Sequence, residues 1–191
     1  MTKGSNHDLV SKRYLEFHGI SDSSTLLYYD SFYTAVDQLK SHTIDYMIMN
    51  CVHSQASAVI GSNYRDVHII DTFISPSKPL VVATRKNVTD LQTIAILYPS
   101  VANYTDTSKW PNVIEVTTGA LAHIATALLA GEYDSAIIYE EIATAHSDVL
   151  RIDEELGSPD DAWLVLGLNR TYTNGVLAWS EAPVTRQWRK S

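Results

Sequence analysis

Apolar positions along the chain fall into short runs alternating with helix-spaced sets, and the pattern is clearest from Thr25 to Ile60. Leu26-Leu27-Tyr28-Tyr29 is a short apolar run that predicts a strand. Asp30 and Ser31 then offer side-chain oxygens to the amides opening a helix, and Phe32, Ala35, Val36 and Leu39 follow at helical spacing. His42 and Thr43 break that spacing. Tyr46-Met47-Ile48-Met49 predicts a buried strand whose exit carries Asn50, Cys51, Val52, His53 and Ser54. A similar plan returns over 113–140: Val113 to Val116 as strand, Thr117-Thr118 as cap, Ala120 to Leu129 as helix, Gly131 as stop, and Asp134 to Ile138 as strand. In an open α/β sheet, ligands bind at the carboxyl ends of strands. A polar, helix-opening turn there also presents unpaired N–H groups and the positive end of a helix dipole.

The remaining segments extend the alternation. Ser5, Asn6 and His7 precede Leu9, Val10, Tyr14 and Phe17, which predicts a capped helix ending at Gly19. Val67 to Ile70 and Leu80 to Arg85 predict strands, with Ser-Pro-Ser-Lys-Pro between them, and a crossover to a second lobe is expected just after Arg85. Thr93 to Leu97 predicts a strand, Glu140 to Ala145 a short helix and Val149 to Ile152 a short strand, while Pro99 to Pro111 carries no clear pattern. Gly157-Ser158-Pro159-Asp160-Asp161 is the strongest loop signal, and Trp163 to Leu168 follows as the return to the first lobe. The expected architecture is α/β with two lobes, 1–85 plus 160–191 and 86–159, and a cleft hinged near 85–87 and 157–161.

Composition narrows the function classes. A chain of 191 residues buries a core large enough for one domain or two small lobes. Its formal charge of −8, with no basic run or stripe, argues against a nucleic-acid surface. No stretch approaches the ~20 apolar residues of a membrane span. The absence of an apolar secretory segment near the start, together with the lone Cys51, predicts a cytoplasmic protein. Seven histidines occur without His-x-x-x-His, Glu-x-x-His or Cys-x-x-Cys spacing, so no metal and no other cofactor is expected.

The two polar turns supply the candidate chemistry. Thr117 and Thr118, with the Gly119 amide, are placed to receive a carboxylate, although a plain helix cap would use the same hydroxyls. His53 and Ser54 fill the equivalent turn of the first lobe, with a self-satisfied turn as the competing reading. Ser5, Asn6 and His7 belong to the same class. Arg85 ends an apolar strand, where its charge needs a partner: a substrate carboxylate, or Asp160 or Asp161. His123 lies in a helix that otherwise buries Leu121, Ile124 and Leu128, and reads as structural.

Taken in order, the phrases Lys3-Gly4-Ser5, Phe32-Tyr-Thr-Ala-Val, Asp45-Tyr-Met-Ile-Met-Asn with Ser54, Val81-Val-Ala-Thr-Arg85, Thr117-Thr118 and Trp163-Leu-Val-Leu-Gly167 are similar to a known family. The chain resembles the catalytic domain of prephenate dehydratases over roughly 3–168. It resembles more closely the shorter, non-aromatising prephenate decarboxylases of antibiotic pathways. The resemblance implies a two-lobed type II periplasmic-binding-protein fold with a ligand cleft between the lobes. Dehydratases carry a Thr-Arg-Phe triplet whose Thr helps expel the ring hydroxyl; the matching residues here are Asp161-Ala162-Trp163. The decarboxylases also lack Thr-Arg and carry Trp at the last position, so Asp161 and Trp163 become site candidates.

The resemblance implies a cofactor-free lyase acting on prephenate or a related cyclohexadiene carboxylate. Prephenate can lose both carbon dioxide and hydroxide, so a decarboxylase that keeps the hydroxyl must offer no acid near it while protonating the far end of the diene. An ionised Asp161, the form expected at a partly solvated crossover, would repel charge on a departing hydroxyl; a protonated one would deliver a proton. Two rivals remain: a small-carboxylate-binding or sensory module without catalysis, and an elimination on another ring acid with His53 or His7 as base. The partner expected is a small carboxylate, not nucleic acid or membrane, and a homodimer is left open.

Overall fold

The computed structural model describes residues 3–117, 121–172, 175–176 and 178–179. Helix α1 (Asn6–Phe17) begins where the Ser5 hydroxyl accepts from the Asp8 amide at 3.4 Å. The expected strand at Leu26 to Tyr29 is an irregular segment instead. Leu27 and Tyr28 are exposed, no strand among the described residues pairs with them, and the Tyr28 hydroxyl ties the segment to α1 by donating to Asp8 at 2.7 Å. Helix α2 (Phe32–Lys40) starts at Ser31, whose hydroxyl accepts from the Tyr33 amide, and buries Phe32, Ala35, Val36 and Leu39 on one face.

Strand β1 (Met47–Asn50), helix α3 (Ala56–Asn63) and strand β2 (His68–Pro76) follow. Next come β3 (Leu80–Arg85), β4 (Thr93–Ile96) and β5 (Asn112–Glu115), with 3-10 turns over Pro99–Tyr104 and Thr107–Lys109 where the sequence had no clear pattern. Helix α4 (Leu121–Ala130) leads to β6 (Ser135–Tyr139), α5 (Glu140–Ala145), β7 (Leu150–Gly157) and β8 (Asp160–Gly167). Gly131 stops α4 at φ +88°, and a side chain there would also meet the Arg85 guanidinium at 3.0 Å.

Two sheets form, each with its own core. The first has the order β1-β8-β2, antiparallel throughout, and packs on Phe32, Val36, Leu39, Met49 and Val59. The second has the order β5-β4-β6-β3-β7, in which β4 runs parallel to β5 and β6 while β3 is antiparallel to β6 and β7. Its core includes Val81, Val82, Ile94, Leu128 and Ile137.

This pairing corrects the expected lobe boundary. Strand β3 lies inside the second sheet, with Leu80 to Thr84 all buried, so the chain crosses over at 77–79 and not after Arg85. A strand apolar on both faces needs a covered place between two neighbours, and β6 and β7 provide it. The return crossover is the 158–159 link between β7 and β8, within the expected 157–161 segment.

Candidate active site between the lobes

Sheet register brings the polar strand exits to one edge. In the second sheet Ile96 pairs with Glu115 and both strands run parallel to β6, so Tyr98, Thr117 and Tyr139 all lie at the carboxyl end. In the first sheet Asn50 pairs with Trp163, so the turn carrying His53 and Ser54 leaves β1 beside Trp163. The amino end of α1 completes the edge with Ser5, Asn6 and His7.

An aromatic cluster forms the floor on the first-lobe side. Trp163 is fully buried and its indole N–H donates to the Ser75 carbonyl at 3.0 Å. The His7 ring stands edge-on to it at 4.9 Å, with Phe32 at 5.4 Å and His53 at 6.2 Å. His53 in turn meets Phe32 at 4.6 Å. His7 Nε2 accepts from the Asn50 amide at 3.3 Å, which puts the ring's own hydrogen on Nδ1. Burial of the ring, with a smaller effect of His53, pushes the His7 pKa down to about 3, so it is neutral near pH 7. Burial lowers His53 as well.

Hydrogen bonds from this cluster reach the other lobe. His53 Nδ1 accepts from the Gln55 amide at 3.2 Å, which leaves the hydrogen on Nε2 to be donated to the Tyr98 oxygen at 3.1 Å. Burial raises the Tyr98 phenol, and a hydrogen bond with Ser54 acts the other way. The Asn6 amide donates to the Tyr139 oxygen at 3.3 Å. Burial of Tyr139, opposed by that amide and helped by Glu141 and Tyr98, pushes its pKa up to about 12. At the crossover, the Lys78 amide donates to Asn6 Oδ1 at 2.8 Å, and its ammonium donates to the Gly4 carbonyl and the Glu141 carboxylate, each at 2.6 Å.

The expected site residues separate into groups. Ser5, His53, Ser54 and Trp163 lie along this interlobe edge, and Thr117 is exposed at the end of β5. Thr118 and Gly119 lie outside the described residues. Asp161 is buried at the start of β8, opposite Ser75, and accepts from the Ser77 hydroxyl. Arg85 is turned elsewhere: it lies at the end of β3 remote from Tyr139 and donates to the Tyr133 carbonyl at 2.9 Å and to Asp134 at 3.3 Å. Its partner is therefore Asp134, at the start of β6, rather than Asp160 or Asp161.

Tyr98, Tyr139 and Ser77 were not singled out from the sequence, and Asn50 was named only as part of a strand exit. Applying the strand-exit rule to β4 and β6 as well as to β1 and β5 would have marked both tyrosines. Among the described residues no group of three or more His, Cys, Asp or Glu is placed to hold a metal. No helix of those residues is long and apolar enough to cross a membrane.

No family model matches the chain, and neither does any curated protein. Solved structures do. Prephenate dehydratase from Arthrobacter aurescens superposes with a TM-score of 0.58 at 18% identity, over 91% of this chain and 61% of that one. The quorum-quenching acylase GqqA gives 0.55 at 12% identity, over 90% and 63%. An ABC transporter structure from Parabacteroides distasonis gives 0.52 at 13%, over 76% and 55%. The fold is thus the two-lobed periplasmic-binding-protein type, and the chain spans about three-fifths of the length of these structures. Such a fold serves both catalysis and ligand binding.

Proposed function

We propose that the protein is a cofactor-free lyase that decarboxylates prephenate or a related cyclohexadiene carboxylate and leaves the ring hydroxyl in place. The observation that carries this reading is the setting of Asp161, which stands where dehydratases of the resembling family carry their catalytic Thr. It is buried and held by the Ser77 hydroxyl at the crossover, so the hydroxyl that serves the elimination in that family has no counterpart at this position. The neutral His7 ring, backed by the fully buried Trp163, gives the ring of the substrate a dry, apolar wall. A carboxylate in such surroundings loses hydration that carbon dioxide does not need, which favours its expulsion. Thr117, exposed on the second lobe, is the hydroxyl offered to a carboxylate of the substrate, while Ser54 on the first lobe meets Tyr98.

A second reading keeps the same cleft and removes the chemistry. The direct hydrogen bonds between His53 and Tyr98 and between Asn6 and Tyr139 are what a clamp around a small carboxylate would use. Incubation with prephenate near neutral pH separates the two. Loss of substrate above an enzyme-free control supports the lyase. A raised melting temperature without loss of substrate supports the binding module, and neither effect removes prephenate from both readings.

A further inference from the structure

We propose that Tyr98 is the acid that protonates the substrate ring when carbon dioxide leaves, and that His53 positions it. The inference rests on the lyase reading above and names the proton donor that reading requires.

Decarboxylation replaces a carboxylate by a hydrogen, so one proton must come from a group in the cleft. Most polar groups there are committed as acceptors or enclosed. Asp161 is buried against the Ser77 hydroxyl at the crossover, and the His7 Nε2 accepts from Asn50 while its ring is walled in by Phe32, His53 and Trp163. Tyr139 carries a hydroxyl at the same edge, but the residue is 6% exposed and its ring also lies under the Lys78 ammonium at 5.2 Å. Tyr98 is half-buried at the exit of β4, and its oxygen takes an N–H from across the cleft. Because His53 Nδ1 is occupied by the Gln55 amide, His53 is the donor in that bond; Ser54, whose hydrogen bond lowers the phenol's pKa, also acts as a donor to that oxygen, and the phenol keeps its own hydrogen for a ligand.

The step balances without any further reagent. The bond from the ring to its carboxylate breaks, the electron pair moves through the diene, and carbon dioxide departs. The far diene carbon takes the Tyr98 hydrogen. The phenolate left behind is held by the His53 N–H and regains a proton from water when the lobes part. His53 acts through Tyr98 as a positioning residue: its donated hydrogen bond stabilises the phenolate as it forms.

The test measures carbon dioxide release from prephenate by the full chain, with kcat and KM determined separately. Removing a general acid lowers the rate by about a hundredfold or more, so Tyr98→Phe should lose that much kcat with KM nearly unchanged. His53→Gln keeps an N–H for the phenol and should lose less. Replacing Tyr98 by 3-fluorotyrosine, whose phenol is more acidic, changes no shape that folding needs and should move the alkaline limb of the kcat profile to lower pH. Tyr98→Phe with wild-type kcat, or an alkaline limb that does not move with the fluorinated residue, would overturn the role of Tyr98 while the lyase reading stood. A wild-type protein that releases no carbon dioxide from prephenate would overturn both.

Discussion

At the scale of single residues, two neutral imidazoles and one indole set the character of the cleft. His7 is held near pKa 3, mainly by burial, against 6.5 for a free side chain. Below about pH 6.5 the unfolded chain takes up a proton that the folded chain refuses, so stability is whole above that pH and falls as pH drops towards 3. The loss by pH 5 should be about 2 kcal/mol from His7, and His53, shifted the same way, adds to it. Urea titrations at about pH 7 and about pH 5 should show a clear drop in midpoint for the wild type and a much smaller one for His7→Gln. An equal drop in both would place the titrating group elsewhere. Trp163 is fully buried and hydrogen-bonded, and Trp163→Ala should cost about 3–5 kcal/mol in the same titration. A midpoint shift equivalent to less than about 1 kcal/mol would mean that the indole does not fill this core. The sequence marked Ser5, Asn6 and His7 as a helix opening. It held no sign that the His7 ring would lie against Trp163, because nothing local pairs positions so far apart.

At the scale of elements, Asp134 ties three pieces together. Its carboxylate accepts from the Gln92 and Thr93 amides at 2.9 and 3.0 Å and from Arg85 at 3.3 Å, joining the starts of β4 and β6 to the end of β3. Burial alone would raise this carboxyl, but the amides and Arg85 hold it below the usual range. Asp134→Ala leaves two amides without their acceptor and should cost about 2 kcal/mol, while ligand affinity stays as it was. A calorimetric titration in which that variant binds prephenate much more weakly than wild type would place this cluster at the site after all. Local patterns were legible where a face is buried, as in α2, β1, α4 and β6, which lie within a residue or two of their expected limits. The apolar run at Leu26 to Tyr29 misled, since a strand needs a neighbour to pair with and the sequence does not say whether one exists.

At the scale of the whole molecule, the two lobes are joined by short links at 77–79 and 158–159 and bridged across the cleft by side chains. The two-lobed plan was legible from the repeated strand-turn-helix pattern. The position of the first crossover was not, because β3 is equally apolar whichever sheet receives it. Arg85 was read as a cleft residue for the same reason: a charge at a strand end declares its need for a partner without declaring which end of the sheet faces the cleft. The central claim is that this cleft releases carbon dioxide and keeps the ring hydroxyl. Mass spectrometry of the product formed from prephenate near neutral pH, against an enzyme-free control, tests it directly. The account predicts a product lighter by carbon dioxide alone, with the oxygen of the hydroxyl still present. Phenylpyruvate above the control, lighter by carbon dioxide and water together, would contradict it.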